Sequence, residues 1–328
     1  MNLHVPVRPH APLREPHPHD TDIAEFARDV IAGWSQPQKA LSPKYFYDAA
    51  GSEIFEEITR LPEYYPTRTE LGILRDRAAE IAALIPSDAA VVEFGAGATT
   101  KIRILLGAHP VAAYVPVDIS GDFLAGQADA LRRDFPTLEV HPVAADFTKP
   151  FALPAAVAER PKVGFFPGST LGNFEPHEAA HLLGTFREIL GRGARLIIGI
   201  DLEKNERVLE AAYDDAAGVT ARFNLNVLKR INNELGGDID LAAFGHRAIY
   251  NRAEHRIEMH LVSRRDQTVR LFDRSFAFRK GETIHTENSY KYSLPRFTAL
   301  ASGAGWRSLR CWTDAAGMFS VHALEAAD

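Results

Sequence analysis

Residues 91–101, Val-Val-Glu-Phe-Gly-Ala-Gly-Ala-Thr-Thr-Lys, form an apolar run that enters a glycine turn and leaves it in a helix-compatible sequence. Glycines at such a point let the backbone approach a ligand closely, where a side chain would stand in the way. A second apolar run, 112–117, ends in Asp118. That acid lies about 20 residues past the turn, where a nucleotide-binding sheet sets a carboxylate against a ribose. A third run, 140–145, ends in Asp146-Phe147. In a parallel sheet these strand ends share one edge, and ligands bind there. One acid suits ribose hydroxyls, the other an adenine amine, and Phe147 the ring. Each acid alone is equally an ordinary solvated loop carboxylate. The ordered set points to a nucleoside-containing cofactor.

A dinucleotide fingerprint needs a third glycine three residues beyond Gly97, where Thr100 stands. A cofactor without a pyrophosphate needs it less. Glu93, just before the turn, suits an amine-bearing ligand better than a pyrophosphate. S-adenosylmethionine has an amine, a sulfonium, a ribose and an adenine, and is expected ahead of a nicotinamide cofactor. Gly168-Ser169-Thr170-Leu171-Gly172-Asn173 follows the apolar run 163–166 and belongs to the same edge. Asn173 can both donate and accept, as an amino acid's amine and carboxylate require. By residue type alone it is equally a helix cap.

The elements that must position these residues alternate along the chain. Strands are predicted at 90–94, 113–117, 139–143, 162–166 and 195–200, with helices at about 99–108, 120–134 and 177–190. Such alternation predicts an α/β fold, a parallel sheet with helices on both faces. Before it come an amphipathic helix over 22–34 and an aromatic-rich segment, 44–70. There Pro62 and Pro66 bracket Tyr64-Tyr65 as a loop, and a helix is predicted from 70 to 84. After Asp201, the four-residue recurrence of Val219, Phe223, Val227, Ile231 and Leu235 predicts a helix stopped by Gly236-Gly237. Residues 256–263 alternate as a strand, and further strand-like runs follow at 268–278 and 283–293. This section reads as an α+β unit inserted into the α/β domain. One helix (295–304) and one or two strands complete the chain.

Composition narrows the function. The 328 residues are 46% hydrophobic and 24% charged, as in globular proteins, and the net charge is -6. A phosphate-tracking surface is not expected, so no nucleic-acid partner is expected. No run approaches the ~18 apolar residues of a membrane span, and the N-terminus lacks the apolar stretch of a secretory signal. A cytoplasmic monomer with no membrane contact is expected. Cys311 is the single cysteine, which fits a reducing compartment, and it reads as a packed thiol. His4, His10, His17 and His19 lie among five prolines in residues 1–20, which read as a flexible tail too proline-rich for a helix. No metal centre is expected.

Longer segments carry a family resemblance from about residue 40 to the C-terminus. They include 45–48 (Tyr-Phe-Tyr-Asp), 61–70 (Leu-Pro-Glu-Tyr-Tyr-Pro-Thr-Arg-Thr-Glu), the 93–101 turn, 168–173, 212–218, 257–259 (Ile-Glu-Met) and 312–314 (Trp-Thr-Asp). With these the chain resembles the histidine-specific Nα-methyltransferases of ergothioneine biosynthesis. The resemblance implies a Rossmann-like class I methyltransferase domain (67–201 plus 291–328) and a substrate-binding domain (21–66 plus 202–290). It implies three transfers of methyl from S-adenosylmethionine to the α-amine of L-histidine, giving hercynine. It implies that Asn173 and Tyr213 hold the amino acid's carboxylate and amine. Tyr64, Glu287 and Ser289 would surround the imidazole, with Met259 shaping the pocket. Tyr47, Gly95, Lys101, Asp118, Asp146 and Phe147 would line the cofactor site. The alternative is a methyltransferase of the same fold acting on another amino acid, such as tryptophan.

The residues fit that chemistry physically. In an extended strand Glu287 and Ser289 point to one face, Thr286 and Asn288 to the other. Two polar groups aimed together suit a ring with two nitrogens, although a solvated strand face has the same pattern. An apolar guest would leave Glu287 buried and unpaired, at a cost of ~1–3 kcal/mol. Asp214-Asp215 beside Tyr213 argues against burial of that segment. Displacement at a sulfonium methyl needs alignment of a neutral amine, at ~3–3.5 Å, more than it needs a strong acid or nucleophile. No residue stands out as a base, and none is assigned as catalytic. Tyr47 and Phe55 offer faces for a growing cation.

Overall fold

A computed structural model describes residues 18–119 and 121–327. Residues 1–17 of the tail, with His4, His10 and His17, therefore lie outside the described residues. The expectation that proline prevents a helix fails at its end. Pro18–Trp34 is one helix, and a proline is tolerated in a first turn, where its missing N–H has no partner to lose.

The main sheet is built from strands Ala90–Phe94, Ala113–Asp118, Glu139–Val140, Lys162–Phe166, Arg195–Asp201, Trp306–Thr313 and Phe319–Ala326. Counted along the chain, their spatial order is 3-2-1-4-5-7-6. The five first strands pair in parallel, and Phe319–Ala326 runs antiparallel between its two neighbours. This is the Rossmann-like arrangement of helices around a central parallel sheet. The order reverses between Ala90–Phe94 and Lys162–Phe166, which are paired neighbours. A crevice opens at such a switch point, and the Gly95 and Gly168 turns both leave from it. The 139–143 run is broken at Pro142 into two short strands, both beside Ala113–Asp118.

A second sheet has the order Lys39–Ala40, Thr283–Tyr290, Arg256–Ser263 and Phe244–Asn251. Helix Val219–Leu235 packs on it through its four-residue apolar stripe and ends at Gly236, whose φ of 68° suits glycine. The 268–278 run is two strands of a tight hairpin, Gln267–Leu271 and Arg274–Phe278. Phe244–Asn251 and the helix Glu206–Tyr213 have no counterpart in the sequence-based reading. Between His285 and Glu287 the register shifts: His285 pairs His260, while Glu287 pairs Met259. The bulge puts His285 and Glu287 on opposite faces although they are two residues apart.

Two aspects of the 60–84 region differ from expectation. Tyr64 and Tyr65 are buried, and a helix starts at Tyr65 with Pro66 in its first turn, so the prolines do not enclose a loop. That helix ends at Asp76, and Ala78–Ala82 follows separately. The helix joins two cores. Tyr64 and Tyr65 pack with the second sheet's apolar cluster, whereas Ile73 and Leu74 pack on the main sheet. Cys311 is exposed rather than packed, because Trp306–Thr313 is the edge strand of the main sheet.

In the central strand Gly199 makes room for Glu70: a Cβ there would lie 2.1 Å from Glu70 Oε1. Gly199→Ala is expected to lower the unfolding free energy by roughly 1–3 kcal/mol, read as a lower denaturation midpoint. An unchanged midpoint would mean that Glu70 is not fixed there.

Candidate active site

The glycine turn after Ala90–Phe94 is held by two amides, Gly95 N and Ala96 N, on the Val117 carbonyl (2.9 and 3.0 Å). Gly95 has φ 70°, and a Cβ there would stand 3.2 Å from the Phe147 ring. The turn and the third strand end therefore meet. Asp118, half-buried, ends the second strand at the same edge, and its carbonyl accepts from Ala145 N (3.0 Å). Asp146 accepts from Thr148 N (3.0 Å) and lies 3.1 Å from Lys149 Nζ. Burial opposes its charge, but these bonds and the lysine hold its carboxyl below the ordinary range. Gly95, Asp118, Asp146 and Phe147 thus gather on one edge.

Glu93 is buried at the end of its strand and accepts from the Tyr114 hydroxyl at 2.6 Å. Burial pushes it up to about 7 against the pull of Tyr114 and Lys101. Lys101 pairs with Glu70 (2.6 Å). Glu70, itself buried, accepts from Gly168 N with both oxygens at 2.9 Å. One carboxylate therefore ties the helix after the first turn to the turn after the fourth strand.

A small cavity lies among Tyr47, Phe55, Ile58, Tyr64, Tyr213, Thr220, Phe223, Met259 and Glu287. Tyr64 and Tyr213 meet edge to face at 6.1 Å, and Tyr47 packs on Phe55 and Phe223 at 5.6 Å. Glu287 brings the single carboxylate of this lining, with no hydrogen bond to a described side chain. Ser289 shares its strand face and lies 2.8 Å from the Tyr213 hydroxyl. Asn173 is half-buried at the end of the short 3-10 helix Thr170–Asn173, which packs on Thr283–Tyr290. It does not line the cavity itself. A larger open depression beside Arg187 and Gly303 contains none of these residues.

Tyr213 is buried although the next residue, Asp214, is exposed, so the segment as a whole is not buried. Asp215 is buried too, because its carboxylate caps the next helix through Val219 N and Thr220 N (3.0 and 2.7 Å). His246 fixes Tyr213 from behind. Asn224 donates to its Nδ1 at 2.9 Å, so its Nε2–H donates to the Tyr213 carbonyl at 2.7 Å, and burial favours this neutral ring.

Family comparison adds the chemistry. Residues 26–326 match the family described as histidine-specific methyltransferase, SAM-dependent. The chain belongs to this family. It is thus an S-adenosylmethionine-dependent methyltransferase. It is 43% identical over 308 residues to a histidine N-alpha-methyltransferase of Mycolicibacterium smegmatis, covering 92% of this chain and 95% of that one. A histidine N-alpha-methyltransferase of Mycobacterium tuberculosis is 41% identical over the same shares. Ergothioneine biosynthesis protein 1 of Neurospora crassa is 29% identical over 81% of this chain and 31% of its own length.

In this methyltransferase the sequence-based reading missed a buried network beneath the cavity. Asp201, at the end of the fifth strand, accepts from the Tyr65 hydroxyl (2.7 Å) and pairs with Lys204 (2.6 Å) and Lys291 (2.8 Å). Burial works against its charge, but the two lysines hold its carboxyl low. Lys204 is pushed down to about 8 by burial, with Lys291's charge adding to it. Asp201 N donates to Ser169 Oγ (2.8 Å), which anchors the Gly168–Asn173 segment at a left-handed residue, φ 57°. Two signals pointed here: Asp201 closes a predicted strand at the ligand edge, and Glu287, Ser289 and Lys291 recur every second residue. On the opposite strand face Glu258, His260 and His285 bring ligating atoms within 4.8 Å of one another. There Glu258 Oε1 is held by Arg256 and Asn251 (2.8 and 3.0 Å), and its Oε2 lies 3.1 Å from His260 Nε2.

Burial pushes Glu287 up to about 7, opposed by Lys291. The unfolded chain releases this proton near pH ~4.3. Between that value and 7 the folded state holds the extra proton, so stability falls as pH rises through this window. Ligand-free Glu287→Gln is expected to melt above the parent at pH 8, with the difference vanishing toward pH 4.5. Equal melting temperatures at pH 8 would show that Glu287 carries no burial penalty.

Proposed function

We propose that this enzyme transfers three methyl groups from S-adenosylmethionine to the α-amine of L-histidine, giving hercynine for ergothioneine biosynthesis. The observation that carries the reading is Glu287: one unbonded carboxylate in a cavity whose other lining is aromatic and apolar apart from Thr220. Histidine supplies a ring N–H to it. A phenylalanine or leucine guest leaves it unpaired. The names of the mycobacterial relatives support the same substrate.

On this reading Tyr64, Glu287 and Ser289 surround the imidazole and Met259 closes the apolar side. Asn173 and Tyr213 take the carboxylate and amine, bringing the nitrogen toward the switch-point crevice. Tyr47, Gly95, Lys101, Asp118, Asp146 and Phe147 form the cofactor side, with Lys101 acting through Glu70 and Gly168. Residues 21–66 with 202–290 constitute the half that holds the amino acid, and 67–201 with 291–328 the half that holds the methyl donor. S-adenosylmethionine supplies an already activated methyl, so the chain's task is alignment and removal of water. Each transfer to a neutral amine makes a cation, and a proton must leave before the next. The rings of Tyr47, Phe55 and Tyr64 suit an increasingly methylated ammonium, which has fewer N–H groups to satisfy.

Purified protein incubated with S-adenosylmethionine and each amino acid is expected to add one, two and three methyl masses to histidine only. Absence of any methylated histidine would end the reading, and accumulation at one methyl would end its trimethylation part. Glu287→Ala is expected to weaken histidine binding by about tenfold or more, while S-adenosylhomocysteine binding is kept. Unchanged histidine affinity by calorimetry would remove Glu287 from the pocket.

A further inference from the structure

Lys291 is fully buried, and its Nζ has three oxygen neighbours. Asp201 Oδ2 lies at 2.8 Å, the Tyr213 hydroxyl at 2.9 Å and Ser289 Oγ at 2.8 Å. An ammonium has three donors and no acceptor, so these contacts use all three. Tyr213 and Ser289 therefore both accept from Lys291, and they lie 2.8 Å from each other. Of their two hydroxyl protons, one closes the bond between them. A phenol is the stronger acid of the two, so Tyr213 donates and Ser289 accepts. The serine proton is left over, and no described protein group accepts it. Ser289 shares its strand face with Glu287, which lines the cavity.

We propose that Lys291 is a positioning residue that fixes this proton order, so that Ser289 donates into the cavity opposite the acceptor Glu287. The inference rests on the placing of histidine in this cavity. A neutral imidazole answers both groups: its N–H goes to Glu287 and its lone-pair nitrogen accepts from Ser289. Indole has the N–H alone, and a phenyl ring has neither. The Tyr213 oxygen keeps one lone pair for the amine. Without the ammonium each hydroxyl oxygen regains a lone pair, and Ser289 can accept from a ring N–H as readily as it donates. The pocket then loses its preference for a ring with a lone pair.

The test compares L-histidine with the two pyrrolylalanines, in which one ring nitrogen or the other is replaced by C–H. Binding is measured by calorimetry on protein saturated with S-adenosylhomocysteine. On the unaltered protein both analogues are expected to bind at least about tenfold more weakly than histidine. Either one binding as tightly as histidine overturns the proposal, since no hydroxyl proton is then in use. In Lys291→Met the ratio between histidine and the better analogue is expected to shrink to about twofold or less, with S-adenosylhomocysteine affinity retained. Equal weakening of all three ligands makes Lys291 a general support and overturns the proposal as well. Should Lys291→Met not fold, Lys291→Gln, which cannot serve three acceptors, is read in the same way. Failure of the underlying histidine assignment looks different: Glu287→Ala and Ser289→Ala would both leave histidine affinity unchanged.

Discussion

The buried carboxylate of Asp201 is the interaction on which the two halves of this methyltransferase depend. It stands at the end of a central strand and collects Tyr65 from the N-terminal segment, Lys204 from the next loop and Lys291 from beyond the second sheet. Its own amide holds Ser169. Four stretches distant in sequence are thus brought to one point. Charges this deep are tolerated only when fully partnered, and removing one partner of such a pair costs roughly 3–5 kcal/mol. The network therefore fixes geometry more than it adds stability, and the wall of the cavity stands on it.

Glu70 repeats the device at the edge where the glycine turn lies. Its carboxylate binds Lys101 and the Gly168 amide; Asp201 binds Lys291 through its carboxylate and donates its backbone amide to the Ser169 hydroxyl. Both carboxylates are reached from the helix Tyr65–Asp76, through Tyr65 for one and Glu70 for the other. Gly168 and Ser169 are consecutive, so the two clamps grip one short turn from either side. Transfer at ~3–3.5 Å demands a fixed frame.

Much of this was legible in the sequence where a local pattern has one structural meaning. The glycine turn and Asp118 lie at strand ends because apolar runs of strand length precede them, and Asp146 follows two short strands broken at Pro142. The 219–235 helix was readable from its four-residue stripe and terminal glycines. Glu287 and Ser289 share a face because of the two-residue period. The misses have physical causes. Tyr64-Tyr65 read as a loop because Pro66 was taken as a breaker, although a first helical turn accepts it. Asp215 read as a solvated acid because a buried cap looks the same in sequence. Cys311 read as packed because nothing local marks an edge strand. Lys204 and Lys291 were passed over because a buried ammonium is defined by a partner distant along the chain.

The bulge at His285–Glu287 bears on how such a pocket can change. Upstream of it, alternate residues of the strand face the Glu258–His260 side; downstream, the alternation is inverted, and Glu287, Ser289 and Lys291 turn inward. The pocket is written in phase as much as in residue type. Substitutions within 287–291 alter one group at a time, but gaining or losing one residue there would exchange every inward group for an outward one. This stretch is free to drift in spelling and locked in length.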